Sequence, residues 1–152
     1  MMTREDKELL LKDLCTRLPY GVVVQVSGDW FYDKEEAHDY KLSVQNDRKL
    51  ARFVRDECEI KPYLRPMSSM TEEEWKEFEE IFGFPIGAGY NTVTKKLNVY
   101  NYVVIDKGYG VDIWLDDIAN ILNWLNAHHF DYRGLIEKGL ALEAHEGMYK
   151  TE

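Results

Sequence analysis

The spacing of apolar residues changes several times along the chain and predicts an alternation of helices with short strands. Thr3 suits a helix N-cap, with Asp6 three residues later, and Leu11, Leu14 and Leu18 follow at helical spacing. The Pro-Tyr-Gly motif that follows ends this helix, because proline cannot continue the hydrogen-bond ladder and glycine accepts the turn. The three consecutive valines of GVVVQVSG then predict a buried strand.

The next part of the chain predicts two more strands. Apolar and polar residues alternate in YKLSVQ and again in LARFVRD, and Asn46 and Asp47 suit a turn between them. The following segment, IKPYLRPMSSM, predicts an extended connector, because each proline restricts the residue before it. Strands this short and this close together favour a small meander or half-barrel.

The strongest local pattern is TEEEWKEFEEIFG, which predicts a helix. Thr71 and Glu74 stand three residues apart as a capping box, in which the side chain of each residue binds the backbone amide of the other. A glycine follows as the helix stop. The apolar face of this helix is predicted to consist of Trp75, Phe78, Ile81 and Phe82.

Beyond this helix the period of the apolar residues changes to two. GFPIGAGYNT predicts a loop, and alternation from Leu97 to Ile105 and from Val111 to Leu115 predicts a second β-hairpin around a glycine-containing turn. Asp116 or Asp117 is then expected to cap a further helix. The apolar face of that helix is predicted to consist of Ile118, Ile121, Leu122 and Leu125.

These elements predict an α+β fold. Short antiparallel strands, arranged as a small half-barrel plus a later hairpin, are expected to pack with three or four helices. A chain of 152 residues with 45% apolar residues can form a core of useful size. It contains no repeat, low-complexity tract or long linker, so we expect residues 1–152 to form a single domain.

Charge and cysteine content narrow the class of protein. A net charge of −9 opposes broad attraction to nucleic acid or to anionic lipid. Cys15 and Cys58 stand far apart without a CxxC motif, which favours buried thiols in a reducing compartment over a disulfide framework. The charged N-terminal segment resembles neither a signal peptide nor a membrane span. We therefore expect a cytoplasmic protein without a membrane partner.

One segment, from His128 to Arg133, concentrates side chains that could carry chemistry. His129 and Asp131 could chelate a metal from a turn, with His145 approaching from the C-terminal tail, which would suit a ligand- or metal-binding enzyme. The structural interpretation is simpler. Adjacent histidines point about 100° apart on a helix, and imidazoles at a helix C-terminus bind its free carbonyl groups.

The residues after this corner support the structural interpretation. Asp131 can cap a short helix from Tyr132 to Lys138, and Gly139 suits the position after its last turn. Leu140 and Leu142 then alternate with less apolar residues, as in an extended segment. We therefore expect the corner to be a docking element between two helices.

Other motifs do not complete a catalytic or cofactor site. GFPIGAGYNT lacks the third glycine of a dinucleotide fingerprint, and it follows a helix where the fingerprint follows a strand. No lysine with an adjacent serine or threonine makes a phosphate loop, and no serine lies in a nucleophile elbow. We therefore expect no catalytic residue, no cofactor and no metal ion.

A basic stretch leaves nucleic-acid binding open as an alternative. The segment from Lys41 to Arg65 contains seven basic residues and four acidic ones, and acidic segments flank it. The whole-chain charge and the acidic residues within the stretch favour a self-complementary surface over a phosphate-binding one.

Aromatic residues in the predicted loops are candidates for partner contact, because aromatic side chains often anchor protein interfaces. A small apolar cluster beneath a long loop is the alternative. The aromatic candidates are Trp30, Phe31, Tyr32, Tyr90 and Tyr109. The polar candidates, all in the corner, are His129, Asp131 and Arg133.

Three blocks of the sequence resemble a known family. REDKELLLKDLCTRLPYGVVVQV, IKPYLRPMSSMTEEE and WLNAHHFDYRGLIEKGLALEAHEGMYK are similar to segments of small uncharacterised proteins of gut bacteria that are associated with phages and mobile elements. The resemblance covers somewhat under half of the chain and implies no catalytic residue. It implies a cytoplasmic protein of phage or mobile-element origin, with near-constant terminal blocks around a variable middle.

The function that fits these observations is a non-enzymatic protein-interaction protein whose partner is another protein. The alternatives are a ligand- or metal-binding enzyme that uses the corner from His128 to Arg133, and a nucleic-acid binder that uses Lys41 to Arg65. We do not expect a nucleic-acid partner, and homo-oligomerisation stays open.

Overall fold

The computed structural model describes residues 2–28, 37–82, 90–91, 96–97 and 115–149. Within these residues the chain has an α+β fold, with four α-helices and an open four-stranded sheet that is mostly antiparallel. The predicted α+β fold class is thereby confirmed, with an open four-stranded sheet. By its internal contacts the chain divides into a sheet unit, Met1–Arg65 with Asn126–Glu152, and a second unit, Pro66–Leu125. The single-domain organisation of residues 1–152 stays a prediction.

The first helix of the sheet unit, α1, spans Arg4–Arg17 and is capped as its sequence predicts. The Thr3 hydroxyl accepts a hydrogen bond from the Asp6 amide at 3.0 Å, and the Asp6 carboxylate accepts one from the Thr3 amide. A single 3₁₀ turn, Leu18–Tyr20, follows the helix. Gly21 then reverses the chain at a φ of 74°, where other residues would be strained.

The buried face of α1 differs from the apolar face that the sequence predicts. Leu10 and Leu14 are fully buried, whereas Leu11 and Leu18 are only partly buried. The other two residues on the buried face are Asp13 and Arg17. The helix is therefore rotated toward a charged pair, which the leucine pattern alone does not reveal.

The sheet consists of β1 (Val22–Ser27), β2 (His38–Leu42), β3 (Glu59–Leu64) and, after further elements, β6 (Leu142–Glu143). The spatial order is β2-β1-β3-β6. Strand β1 runs antiparallel to β2 and to β3, and β6 runs parallel to β3. This order makes β1 and β3 the two central strands.

The register of the sheet places alternate residues of β1 on the core side. Val24 lies opposite Tyr40 on one neighbour and opposite Pro62 on the other. Alternate residues of a strand point to opposite faces, so one face is apolar and the other is largely polar. The core that packs on the apolar face includes Leu10, Leu14, Val22, Val24, Val26, Leu42, Phe53, Ile60, Leu64, Leu135 and Leu140.

Two predictions for the middle of the sheet unit are wrong. LARFVRD, predicted as a strand, belongs to helix α2 (Arg48–Val54). Leu50 and Phe53 pack against the core, and their spacing of three residues places both on one face of a helix. IKPYLRPMSSM, predicted as a connector, contains most of central strand β3 and then a 3₁₀ turn, Met67–Ser69.

The second unit contains helix α3 (Glu72–Phe82) and most of helix α4 (Leu115–Ala127), with a short antiparallel pair of strands, β4 (Tyr90–Asn91) and β5 (Lys96–Leu97). The α3 capping box is confirmed. The Thr71 hydroxyl accepts a hydrogen bond from the Glu74 amide, and the Glu74 carboxylate accepts one from the Thr71 amide, each at 3.1 Å.

The two helices of the second unit meet through aromatic side chains. Phe78 is fully buried, with ring centroids 5.6 Å from Trp75 and 5.1 Å from Trp124, the latter edge-on. Ile81 on α3 is 55% exposed and Leu122 on α4 is 38% exposed, so their predicted places in the two apolar faces are wrong.

Several other predictions have a definite outcome. Helix α4 begins at Leu115, so neither Asp116 nor Asp117 precedes it as a cap. Cys58 is buried as expected, but Cys15 is exposed. None of the described helices is long and apolar enough to cross a bilayer. The predicted hairpin lies outside the described residues except at its two ends. Leu97 belongs to β5, whereas Leu115, predicted as a strand residue, begins α4, so this end of the prediction is wrong.

Candidate functional site

The polar corner from His128 to Arg133 begins where α4 ends, as its sequence predicts. The His129 amide donates to the Asn126 carbonyl at 3.1 Å, and His129 turns the chain at a φ of 64°. The Arg65 amide then donates to the His129 carbonyl, and the Asp131 amide donates to the Arg65 carbonyl, each at 2.8 Å. The corner is therefore bound to the chain immediately after β3 by two backbone hydrogen bonds.

Asp131 organises the turns that follow the corner. Its carboxylate is buried and accepts hydrogen bonds from the amides of Leu135 at 2.8 Å and Ile136 at 3.0 Å. The predicted helix from Tyr132 to Lys138 is wrong, because this segment is a series of turns. Gly134 has a φ of 72°, which a right-handed helix cannot contain.

A buried ionic cluster joins the corner to α1, and we call Asp13, Arg17 and Arg133 the Arg17 cluster. Arg17 Nε lies 2.7 Å from Asp13 Oδ2, and Arg17 Nη2 lies 3.1 Å from Asp13 Oδ1. Arg17 Nη2 also donates to the Phe130 carbonyl at 2.8 Å. Arg133 Nε lies 3.2 Å from Asp13 Oδ1, close enough for an ion pair but without hydrogen-bond geometry.

Arg133 is among the residues that the sequence indicates, whereas Asp13 and Arg17 are not. Asp13 and Arg17 are four residues apart, which is a signal for an ion pair along a helix. Asp13 and Arg17 lie on the same face of α1 as Leu10 and Leu14, and this position is the sequence signal that the pair is buried. Charged residues are rarely fully buried, so the sequence favours a buried face made of leucines alone.

Tyr132 adds an aromatic surface to the Arg17 cluster. The guanidinium carbons of Arg17 and Arg133 each lie 5.3 Å from the centre of the Tyr132 ring. The Tyr132 hydroxyl donates to the side-chain carbonyl of Asn126 at 2.9 Å, and Asn126 is itself buried. These contacts fix the tyrosine between the end of α4 and the cluster.

His129 stacks on a tyrosine from the C-terminal tail. Its ring lies 3.5 Å from that of Tyr149, centre to centre, and the two planes differ by 13°. Burial, together with repulsion from Arg17, His128, Arg65 and Lys41, lowers the pKa of His129 to about 4. The imidazole is therefore neutral at neutral pH. Its Nδ1 atom has no hydrogen-bond partner among the described residues.

The Tyr149 hydroxyl lies between the two central strands of the sheet. It accepts a hydrogen bond from the Val23 amide at 3.0 Å and donates to the Tyr63 carbonyl at 2.6 Å. The β1–β3 ladder ends at the pair of Val24 and Pro62, so the hydroxyl takes the place of the next rung. Burial raises the pKa of Tyr149 to about 12, which keeps this donor protonated.

Tyr63 extends the aromatic surface across the polar face of the sheet. Its hydroxyl donates to the Asp39 carboxylate at 2.9 Å, which links β3 to β2. Burial and the neighbouring Asp39 raise the pKa of Tyr63. The His145 ring packs over Tyr63 with centroids 5.3 Å apart. The C-terminal tail thus contacts this face of the sheet through His145 and Tyr149.

The predicted metal or enzyme site required His129, Asp131 and His145 to act together. Each of these side chains makes a different set of contacts: His129 with Tyr149, Asp131 with two backbone amides, and His145 with Tyr63. No group of three or more histidine, cysteine or acidic side chains that could hold a metal ion occurs in the described part of the chain.

Of the aromatic residues that the sequence suggests for partner contact, only Tyr90 lies within the described residues. Trp30, Phe31, Tyr32 and Tyr109 lie outside the described residues. Tyr90 lies in β4, opposite Leu97 of β5, and not in the loop that the sequence predicts.

The basic stretch from Lys41 to Arg65 is divided among β2, α2 and β3. Lys49 is buried, with its ammonium group 5.9 Å from the Tyr40 ring. Arg55 pairs with Glu57 at 2.9 Å, and the Arg65 guanidinium lies 4.2 Å from the centre of the Phe130 ring. Several cations of the stretch are thereby engaged within the protein.

Comparisons of the chain with models of protein families, with curated proteins and with solved structures gave no match.

Proposed function

We propose that the protein is a non-enzymatic protein-interaction protein of the cytoplasm, of phage or mobile-element origin. The observation that carries the proposal is the internal use of the polar corner. Asp131 binds two backbone amides, Arg133 pairs with Asp13, and His129 stacks on Tyr149. The side chains best suited to catalysis thus join α1, β3 and the C-terminal tail.

The electrostatics of the corner support a structural role over acid–base catalysis. A general base works best with a pKa near the working pH, because it must be both unprotonated and basic. A pKa near 4 leaves the His129 imidazole neutral but weakly basic at neutral pH. The carboxylate of Asp131 already accepts two hydrogen bonds, so a substrate would have to displace the Leu135 or Ile136 amide.

Apolar side chains at the surface of each unit are the contacts that we assign to a protein partner. Val44, in the turn after β2, is 62% exposed, and Ile81 of α3 is 55% exposed. Single exposed apolar side chains are common on monomeric proteins, so each position needs its own test. The resemblance of the terminal blocks to phage-associated proteins supports the proposed origin and compartment.

Site-specific photo-cross-linking in bacterial cells tests this function. A photo-reactive amino acid is placed at Val44 or Ile81, and at the exposed Lys12 of α1 as the matched control. We expect one discrete protein adduct at an apolar position and none at Lys12. Equal, diffuse adducts at all three positions, or none at any, would contradict an interaction protein that uses these surfaces.

A second measurement addresses the enzyme alternative independently. Metal analysis of the untagged protein is expected to find no stoichiometric zinc, iron or manganese. A reproducible one-to-one metal that is lost in His129→Ala would reject the structural interpretation of the corner and favour the ligand- or metal-binding alternative.

A further inference from the structure

The C-terminal tail is attached to the sheet unit at two separate places. The Ala144 amide donates to the Leu64 carbonyl at 2.8 Å, which continues the pairing of β6 with β3. Five residues later, Tyr149 reaches His129, Val23 and Tyr63. The intervening residues form an exposed turn in which the Met148 amide donates to the His145 carbonyl. Tyr149 can therefore leave its place without breaking any strand pairing.

The second attachment depends on an uncharged His129 ring. The ring is mostly buried, and the charged groups that act on it are Arg17 from α1, Lys41 from β2, Arg65 after β3 and the adjacent His128. Arg17, Lys41 and Arg65 are cationic. The tail contributes the neutral Tyr149. A proton on His129 would thus be buried among like charges.

From this arrangement we propose that residues 144–149 form a latch on the sheet, which opens at Tyr149 when His129 takes up a proton. The attraction of a cation for an aromatic face would oppose opening. Burial and the surrounding cations outweigh this attraction, which agrees with the lowered pKa of His129 near 4. Opening uncovers the Val23 amide and the Tyr63 carbonyl, which the Tyr149 hydroxyl otherwise binds.

The direction and size of the effect follow from proton linkage. His129 has a pKa of about 4 with the latch closed, and exposure of its ring on opening raises the pKa toward the ordinary value of 6.5. The open form then binds more protons between these values, so acid favours opening. Linkage predicts that the open fraction rises by up to roughly thirtyfold between about pH 7.5 and about pH 5. Exposed carboxylates stay mostly ionised across this range. The latch does not depend on the proposed protein-interaction function.

Hydrogen exchange of the Val23 amide, followed by NMR, measures latch opening directly. Rates are corrected for the intrinsic pH dependence of exchange and compared with the rate of Val24, a core residue of the same strand. We expect Val23 to lose protection relative to Val24 as the pH falls toward 5, and His129→Gln to remove this pH dependence. The matched control, His38→Gln, changes an exposed histidine of β2 outside residues 144–149 and should keep it.

Two results would overturn the proposal. One is a Val23 protection that does not change with pH in the parent protein. The other is a change that persists in His129→Gln or disappears in His38→Gln. If His129→Gln fails to fold, the side-chain nitrogen resonances of His129 in the parent decide the question. Loss of Val23 protection must then level off where the His129 resonances show protonation of the closed form, because linkage ends at that pKa, and a loss that levels off with the His145 resonances rejects the latch.

Discussion

The guanidinium of Arg17 pairs with the carboxylate of Asp13 one helical turn earlier, and neither side chain is exposed to solvent. Moving both charges out of water is costly, and the pair is stable only because each group has several partners. Arg17 makes two contacts with Asp13 and one with the Phe130 carbonyl, 113 residues away along the chain. The pair therefore connects α1 to the polar corner.

Removal of Arg17 is expected to destabilise the protein strongly. Arg17→Ala leaves the Asp13 carboxylate buried with only the partly exposed Arg133 nearby, and it leaves the Phe130 carbonyl without this donor. Loss of one partner from a buried ion pair costs on the order of 3–5 kcal/mol, which urea unfolding would measure. Arg4→Ala, in the exposed pair of Arg4 with Glu8, is the control and should change stability by less than about 1 kcal/mol. Equal effects of the two substitutions would contradict a structural role for the cluster.

Asp131 is expected to stabilise the protein through its hydrogen bonds to two backbone amides. Asp131→Ala leaves the buried Leu135 amide and the Ile136 amide without their acceptor, which should cost about 1–3 kcal/mol for each group that stays unsatisfied. Asp131→Asn retains one carbonyl oxygen and should lose less. Chemical denaturation of the three proteins checks this order. An alanine variant as stable as the parent would show that these bonds do not hold the turns together.

The capping box of α3 gives a smaller, local prediction. Thr71→Ala removes the hydroxyl that accepts the Glu74 amide at 3.1 Å and should lower the free energy of unfolding by about 1 kcal/mol. Thr71→Ser keeps the hydroxyl and serves as the control. Thermal unfolding monitored by circular dichroism would detect the difference. Identical transitions for the alanine and serine variants would mean that the cap contributes nothing to stability.

Because of Tyr149, the free energy of unfolding is expected to depend on pH in the alkaline range. Its pKa is about 12 in the folded protein and 10.0 for an exposed tyrosine, so the folded state binds more protons between these values. The stability from Tyr149 is thus complete below about pH 10 and is lost as the pH rises through the folded pKa. We expect the stability difference between the parent and Tyr149→Phe to shrink by roughly 1 kcal/mol between about pH 9 and about pH 11. A constant difference across this range would contradict a buried, protonated hydroxyl.

If the protein were a nucleic-acid binder, it would bind DNA or RNA at physiological salt, and we expect that it does not. Fluorescence anisotropy should show no binding to mixed-sequence DNA or RNA at physiological salt, because the net charge of −9 opposes it. A variant with glutamate at Arg48, Arg52 and Arg55 should behave like the parent. Tight binding by the parent that survives physiological salt and disappears in this variant would move the proposed function to nucleic acid.

Local patterns account for the elements that the sequence predicts correctly. Thr3 with Asp6, and Thr71 with Glu74, form the caps that their spacing predicts. Such hydrogen bonds join residues three apart, so their chemistry is complete within a short segment. The strand predicted for LARFVRD is wrong, because the spacing of its apolar residues fits one face of a short helix as well as one face of a strand. For such a short segment, packing decides between the two forms.

The sequence by itself determined the α+β class, the caps of α1 and α3, and the end of α4 before His128. Only the tertiary structure decided the role of the polar corner, because the partners that join it to α1, to β3 and to the C-terminal tail lie far away along the chain. Arg17 reaches Phe130, and Tyr149 reaches Val23 and Tyr63, across separations of 113, 126 and 86 residues. Pattern and spacing show which groups one turn or one strand brings together. A buried ion pair or a tyrosine between two strands depends on which surfaces meet when the core forms.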